Sequence, residues 1–78
     1  MSRPVKRSFT IAGHRTSISL EGAFWEALKA IAAEQHIPVT RLIDRIDAGR
    51  GSSGLSSAVR VWILAHYRDA EARRGGGV

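Results

Sequence analysis

The fold is decided by one short stretch, Arg15-Thr16-Ser17-Ile18-Ser19-Leu20, in which polar and apolar side chains alternate. Successive side chains of a β-strand point to opposite faces. The apolar face is therefore formed by Thr16, Ile18 and Leu20, and the polar face by Arg15, Ser17 and Ser19. This pattern predicts a strand that packs one face on a core and leaves the other face exposed.

A second alternating run precedes this strand. Val5–Ile11 places Phe9 and Ile11 on one side, which the charged Arg7 interrupts, and polar residues on the other. The spacing is that of a half-buried strand, and Gly13 ends the run. This second run is the weaker of the two strand patterns because of the charge on its apolar side.

After Leu20 the apolar period lengthens to between three and four residues. Phe24, Leu28 and Ile31 recur at i, i+4 and i+7 within residues 22–35, which predicts an amphipathic helix. Proline is tolerated at the start of a helix, so a second helix is predicted to begin at Pro38. Its buried face is predicted to consist of Leu42, Ile43 and Ile46.

A third helix is predicted for about residues 56–68, with Ser56 or Ser57 as its N-cap. Its middle, Ala58-Val59-Arg60-Val61-Trp62-Ile63-Leu64-Ala65, is apolar almost all round. Such a helix needs cover on both sides, which a monomer of 78 residues hardly provides. We therefore expect an obligate homodimer. Its core is expected to contain Ile18, Leu20, Phe24, Leu28, Ile43 and Trp62.

The length of 78 residues allows one domain. Residues 1–13 are interpreted as a basic N-terminal arm with strand character, residues 14–72 as the folded domain, and residues 73–78 as a flexible tail. The tail contains three consecutive glycines, which favour flexibility.

The formal charge of +5 is unevenly distributed. The first twenty residues contain four arginines and lysines and no acid, whereas all seven acids follow. This asymmetry favours nucleic acid as a partner. The sequence has no cysteine, which agrees with a reducing compartment, and no apolar stretch of the length that spans a membrane. We expect a soluble, cytoplasmic protein.

Other kinds of site are disfavoured. Residues 49–54 match the dinucleotide motif G-x-G-x-x-G, but they follow a helix, whereas that motif requires a preceding strand. The three histidines lack metal-ligand spacing. No nucleophile, base and orienting group stand at a recognised catalytic spacing. We expect no enzyme activity, metal or cofactor.

The order of strand, helix, turn and helix, with Arg15-Thr16-Ser17-Ile18-Ser19-Leu20-Glu21 as the strand, resembles the ribbon-helix-helix family of the Arc and Met repressors. Over nearly the whole chain, residues 6–17, Phe24-Trp25 and Leu55-Ser56-Ser57-Ala58 resemble a subfamily of short bacterial ribbon-helix-helix proteins with a third helix. The resemblance implies a mostly α-helical, intertwined homodimer with a short β-ribbon and an additional C-terminal helix. The ribbon would pair one strand from each subunit.

The resemblance also implies a DNA-binding site. The outward side chains Arg15, Ser17 and Ser19 would contact bases in the major groove. The backbone amides of Val39 and Thr40, at the start of the second helix, would bind phosphate. Phosphate contacts are also expected from Lys6 and Arg7. Pro38 stands where relatives carry Ser or Asn, which weakens the expected helix contact.

The expected function is sequence-specific binding of double-stranded DNA, as a transcriptional regulator and repressor. Higher oligomers on DNA remain open, as do the operator and any effector. The alternative is a protein-interaction module, either an antitoxin or a dimerisation adaptor, whose ribbon does not read DNA. A polar strand face is often only solvated, so this alternative depends on whether the ribbon contacts bases.

Overall fold

Two strands precede three helices in the computed structural model, which describes residues 3–52 and 54–75. The elements are β1 (Val5–Ile11), β2 (His14–Leu20), α1 (Gly22–Glu34), α2 (Val39–Gly49) and α3 (Leu55–Gly75). The prediction of a mostly helical chain with a short ribbon is confirmed. No helix in the described part of the chain is long and apolar enough to cross a membrane.

The two strands form an antiparallel hairpin within one chain. The register runs from Val5 opposite Leu20 to Ile11 opposite His14. The two residues between the strands, Ala12 and Gly13, have φ angles of 52° and 81°. Two successive positive φ angles are typical of a type I′ turn, whose twist matches that of the strands it joins.

The hairpin changes the interpretation of the N-terminal segment. The strand predicted for Val5–Ile11 is confirmed, but its partner is β2 of the same chain. The family resemblance instead implies a ribbon with one strand from each subunit, and the sequence pattern assigns residues 1–13 to a basic arm. Residues 5–11 are half of the ribbon, and residues 1 and 2 lie outside the described part.

The core lies between the ribbon and the helices. It is formed by the inner face of the ribbon and one apolar stripe of each helix. The buried side chains are Ile11, Ile18, Leu20, Trp25, Leu28, Ile31, Ala32, Leu42, Ile43, Ile46, Val59 and Ile63. These include all three residues predicted for the buried face of the second helix.

One chain covers most of the residues expected in a dimer core. Ile18, Leu20, Leu28 and Ile43 are fully buried without a partner. Phe24 and Trp62 are half-buried and pack against the same core. Four of the six expected core residues are thus covered within one chain, whereas Phe24 and Trp62 stay partly exposed.

The third helix is longer than predicted. It begins at Leu55, so Ser56 lies in its first turn and neither Ser56 nor Ser57 is the N-cap. It continues to Gly75, whereas residues 73–78 were expected to be flexible. An ion pair between Glu71 and Arg74, three residues apart, supports the last turns. Residues 76–78 lie outside the described part.

The turn geometry predicts a specific cost for Gly13→Ala. The φ of 81° at Gly13 is unfavourable for a residue with a Cβ atom, although no atom lies within 4 Å of a Cβ built there. We expect a loss of about 1–2 kcal/mol in the free energy of unfolding, measured by denaturant titration. Gly22→Ala is the control because Gly22 has equally open space and no positive φ. Equal stability of the two variants would contradict the turn assignment.

Candidate nucleic-acid interface

The outer face of the ribbon is polar over its whole length. The register pairs Lys6 with Ser19, Ser8 with Ser17 and Thr10 with Arg15. The side chains of these three pairs share one face because they alternate with the inward residues. The face carries two cations and no acid. A two-stranded ribbon with such a face has the size and charge of an element that enters a DNA major groove.

Arg15 and Ser17 are the most accessible of the predicted base contacts. Both are exposed. Ser17 Oγ lies 3.4 Å from Ser8 Oγ across the ribbon, and either hydroxyl can donate. Among the described residues, Arg15 has no carboxylate partner, so its guanidinium is free to donate to a ligand.

Ser19, the third predicted base contact, has a different environment. It is half-buried, and its backbone is bound to α3. The Ser19 N–H donates to Ser56 Oγ at 3.0 Å, and the Ser19 carbonyl accepts from Arg60 Nη2 at 2.9 Å. The open edge of β2 is therefore closed at Ser19 by two α3 side chains.

Arg60 also joins the end of the ribbon to α1. Its Nε donates to Glu21 Oε1 at 2.9 Å and its Nη2 to Glu21 Oε2 at 3.4 Å. The hydrogen bond from Arg60 lowers the pKa of the Glu21 carboxyl below its ordinary value. Neither role follows from a local sequence pattern, although Arg60 stands alone among the apolar residues 58–65.

The lowered pKa of Glu21 predicts a pH-dependent contribution to stability. A carboxyl with a lowered pKa in the folded state stabilises the fold at pH values above its ordinary pKa of 4.5. This contribution is lost as the pH falls through the folded-state pKa. We therefore expect the melting temperature of Glu21→Gln to lie below that of the wild type at pH 7, with the gap closing towards pH 3.

The control for this prediction uses Arg60→Gln, which removes the donor. In that background, Glu21→Gln should change the melting temperature little, and the change should not depend on pH. A gap that persists at pH 3 in the wild-type background would contradict an ionic role for Glu21.

Lys6 and Arg7 point to opposite faces of the ribbon. Lys6 lies on the polar outer face, opposite Ser19. Arg7 lies on the inner face, with its Cζ 5.4 Å from the centroid of the Trp25 ring. At this distance the cation and the ring attract each other. The two residues, predicted together as phosphate contacts, are therefore separated by the ribbon.

The start of α2 lies beside the turn of the hairpin. Thr40 and Arg41 line a shallow cleft together with Thr10 and Ala12. Pro38 occupies the N-cap position and makes no side-chain cap bond. The first amides of a helix have no acceptor within it, so the amides of Val39 and Thr40 remain as donors near the polar face. Thr40 is exposed and Val39 is half-buried.

The residues disfavoured as metal ligands remain apart. Across residues 3–52 and 54–75, no three His, Asp or Glu side chains lie close enough to hold a metal ion. The His66 ring stacks on that of Trp62, with centroids 5.4 Å apart. Its Nε2 lies 3.9 Å from Glu34 Oε1. Its surroundings are those of a structural side chain on α3.

The family comparison agrees with this architecture. A model of the ribbon-helix-helix domain matches residues 4–67. The chain belongs to the ribbon-helix-helix family. Proteins with this domain are generally DNA-binding transcription regulators or antitoxins, and the domain is typically not enzymatic. Comparisons with curated proteins and with solved structures gave no match.

This ribbon-helix-helix chain retains an apolar surface on α3. Val61, Leu64 and Tyr67 are 63%, 55% and 45% exposed. Phe24 lines the groove between α1 and this surface, and Trp62 lines the groove between α2 and α3. The two half-buried members of the expected dimer core thus flank the same exposed stripe.

Proposed function

We propose that this ribbon-helix-helix protein binds double-stranded DNA sequence-specifically and acts in the cytoplasm as a bacterial transcriptional repressor. The observation that supports this most strongly is the outer face of the ribbon, which is polar, basic and free of acids over three cross-strand pairs. A major groove about 12 Å wide admits a two-stranded ribbon face-on. We propose that the ribbon enters the groove with this face towards the bases.

Arg15 is the principal base contact in this proposal. Its free guanidinium can donate two hydrogen bonds to O6 and N7 of guanine. Ser17 and Ser19 are shorter and can either donate or accept, so they discriminate less between bases. Ser19 is the weaker of the two because it is half-buried beside α3.

We place the phosphate contacts at the two ends of the outer face of the ribbon. Lys6 lies at the open end of the ribbon, and the amides of Val39 and Thr40 lie near its turn. A helix N-terminus favours a bound anion. Arg7 is directed to Trp25 on the inner face, so we place its phosphate contact at the flank of the ribbon. These contacts orient the protein without reading sequence.

The proposed functional unit is a homodimer, which the family suggests. Since one chain buries most of the expected dimer core, the exposed stripe of Val61, Leu64 and Tyr67 is the apolar surface left for a second copy. Phe24 and Trp62 lie beside this stripe and would be covered with it. An exposed apolar patch bordered by polar residues is typical of an interface.

Dimerisation predicts concentration-dependent stability. The thermal midpoint of the wild type should rise with protein concentration because association stabilises the folded state. Leu64→Glu should shift sedimentation at low micromolar concentration to the monomer. Ala30→Glu, a charge introduced at an exposed position of α1, is the control. A wild type that sediments as a folded monomer would rule out the dimer.

DNA reading is tested with Arg15→Ala. Selection from a random duplex library gives the preferred site of the wild type, and competition against scrambled DNA gives the preference of each variant. Loss of one bidentate contact should remove about 1–3 kcal/mol of discrimination for each copy bound. Since Arg15 is exposed, the melting curve of Arg15→Ala should match that of the wild type.

Ile18→Ala is the matched control on the same strand. Ile18 is fully buried, so truncation should cost about 2–5 kcal/mol of stability through the cavity it leaves. If Arg15→Ala keeps both the stability and the full sequence preference of the wild type, the ribbon is not the reading element. Ribbon-helix-helix proteins also include antitoxins, and an interaction module that does not read DNA would then be the better interpretation.

The role of Lys6 is tested by salt dependence. Lys6→Gln should weaken binding to all sequences similarly and reduce the slope of log K against log salt by about 1 for each copy bound, because one fewer counterion is released. Arg68→Gln, the same charge change on an exposed residue of α3, should leave the slope unchanged. A loss of sequence preference in Lys6→Gln would instead make Lys6 a base contact.

A further inference from the structure

We infer that β1 reads bases as well as β2, with Ser8 and Thr10 as specificity-determining residues, so that each chain carries a complete reading element. This inference rests on the proposed DNA binding. It gives β1 a function beyond that of the basic arm that the sequence pattern predicts for residues 1–13.

The strand beside β2 is β1 of the same chain, over all seven pairs of the register. The other edge of β2 is occupied at Ser19, where Ser56 and Arg60 bind the backbone N–H and carbonyl. A strand from a second subunit could therefore not pair along that edge through Ser19 unless both α3 contacts broke.

Ser8 and Thr10 lie on the same face of the ribbon as the proposed base contacts of β2. Ser8 lies opposite Ser17, and Thr10 lies opposite Arg15. The side chains of such pairs are about 5 Å apart on the same face. Both residues are exposed. Any base edge that Arg15 and Ser17 reach therefore lies within reach of their partners on β1.

The spacing of the pairs fits the spacing of bases. Successive pairs on one face are two residues apart, about 6.8 Å along the strand. This distance corresponds to about two base-pair steps of 3.4 Å. The pairs of Thr10 with Arg15 and Ser8 with Ser17 therefore address neighbouring parts of one short half-site.

The side chains of β1 add chemistry that β2 lacks. Thr10 offers both a hydroxyl and a methyl group, and the methyl group suits apolar contact with the thymine methyl in the major groove. Ser8 and Ser17 share one hydrogen bond at 3.4 Å. Each hydroxyl has one proton, so one donor of the pair remains available to a base acceptor.

The test compares Thr10→Val and Ser8→Ala with the wild type in the same duplex selection and competition. Thr10→Val keeps the branched shape and removes the hydroxyl. We expect each variant to lose roughly three- to tenfold preference at one or two positions next to those that depend on Arg15, as for the loss of one hydrogen bond. Melting temperatures should stay close to that of the wild type.

Thr16→Val is the matched control, since Thr16 faces inward from the neighbouring pair with Phe9. Its site preference should equal that of the wild type. Unchanged preferences in Thr10→Val and Ser8→Ala, alongside a changed preference in Arg15→Ala, would overturn the reading role of β1 and leave the proposed function intact. A wild type that selects no sequence would overturn both.

Discussion

The register between β1 and β2 is the constraint on which the rest of the structure depends. Because the side-chain period of a strand is two, a slip of one residue would exchange the two faces of the ribbon. The observed register places Ile11, Ile18 and Leu20 together in the core. The same register places every outward residue on the opposite face. Core formation and the polar face are therefore set by one pairing.

Contacts from the helices fix the ribbon at its open end. Trp25 Nε1 donates to the Val5 carbonyl at 2.9 Å, and α3 binds both backbone groups of Ser19. Thus β1 is held by α1, and β2 is held by α3. An isolated two-stranded hairpin is only marginally stable in water, so these anchors and the apolar face make the ribbon persistent. The α3 contacts at Ser19 also cover part of the free edge of β2, which would otherwise invite pairing with other chains.

The sequence predicted the elements better than their partners. Alternation over Val5–Ile11 and β2 and the apolar stripe of α1 were sufficient to assign these elements. The hairpin was missed because Ala12-Gly13 lacks the Asn-Gly or Asp-Gly signal. Contacts such as Arg60 with Ser19, 41 residues apart, leave no local pattern. The candidate base contacts could be predicted because outward alternation is local, whereas the separation of Lys6 from Arg7 required the pairing.

The alternation of the ribbon also separates substitutions that change recognition from substitutions that change the core. Ser8, Thr10 and Ser17 each have an inward neighbour in sequence that packs in the core, yet their own exposed side chains contribute little to that core. Substitutions at exposed sites away from special contacts usually change stability by less than about 0.5 kcal/mol. The outward set can therefore drift to new chemistry in single steps, without compensating changes in the helices, and one scaffold can give rise to paralogues that differ in what they recognise.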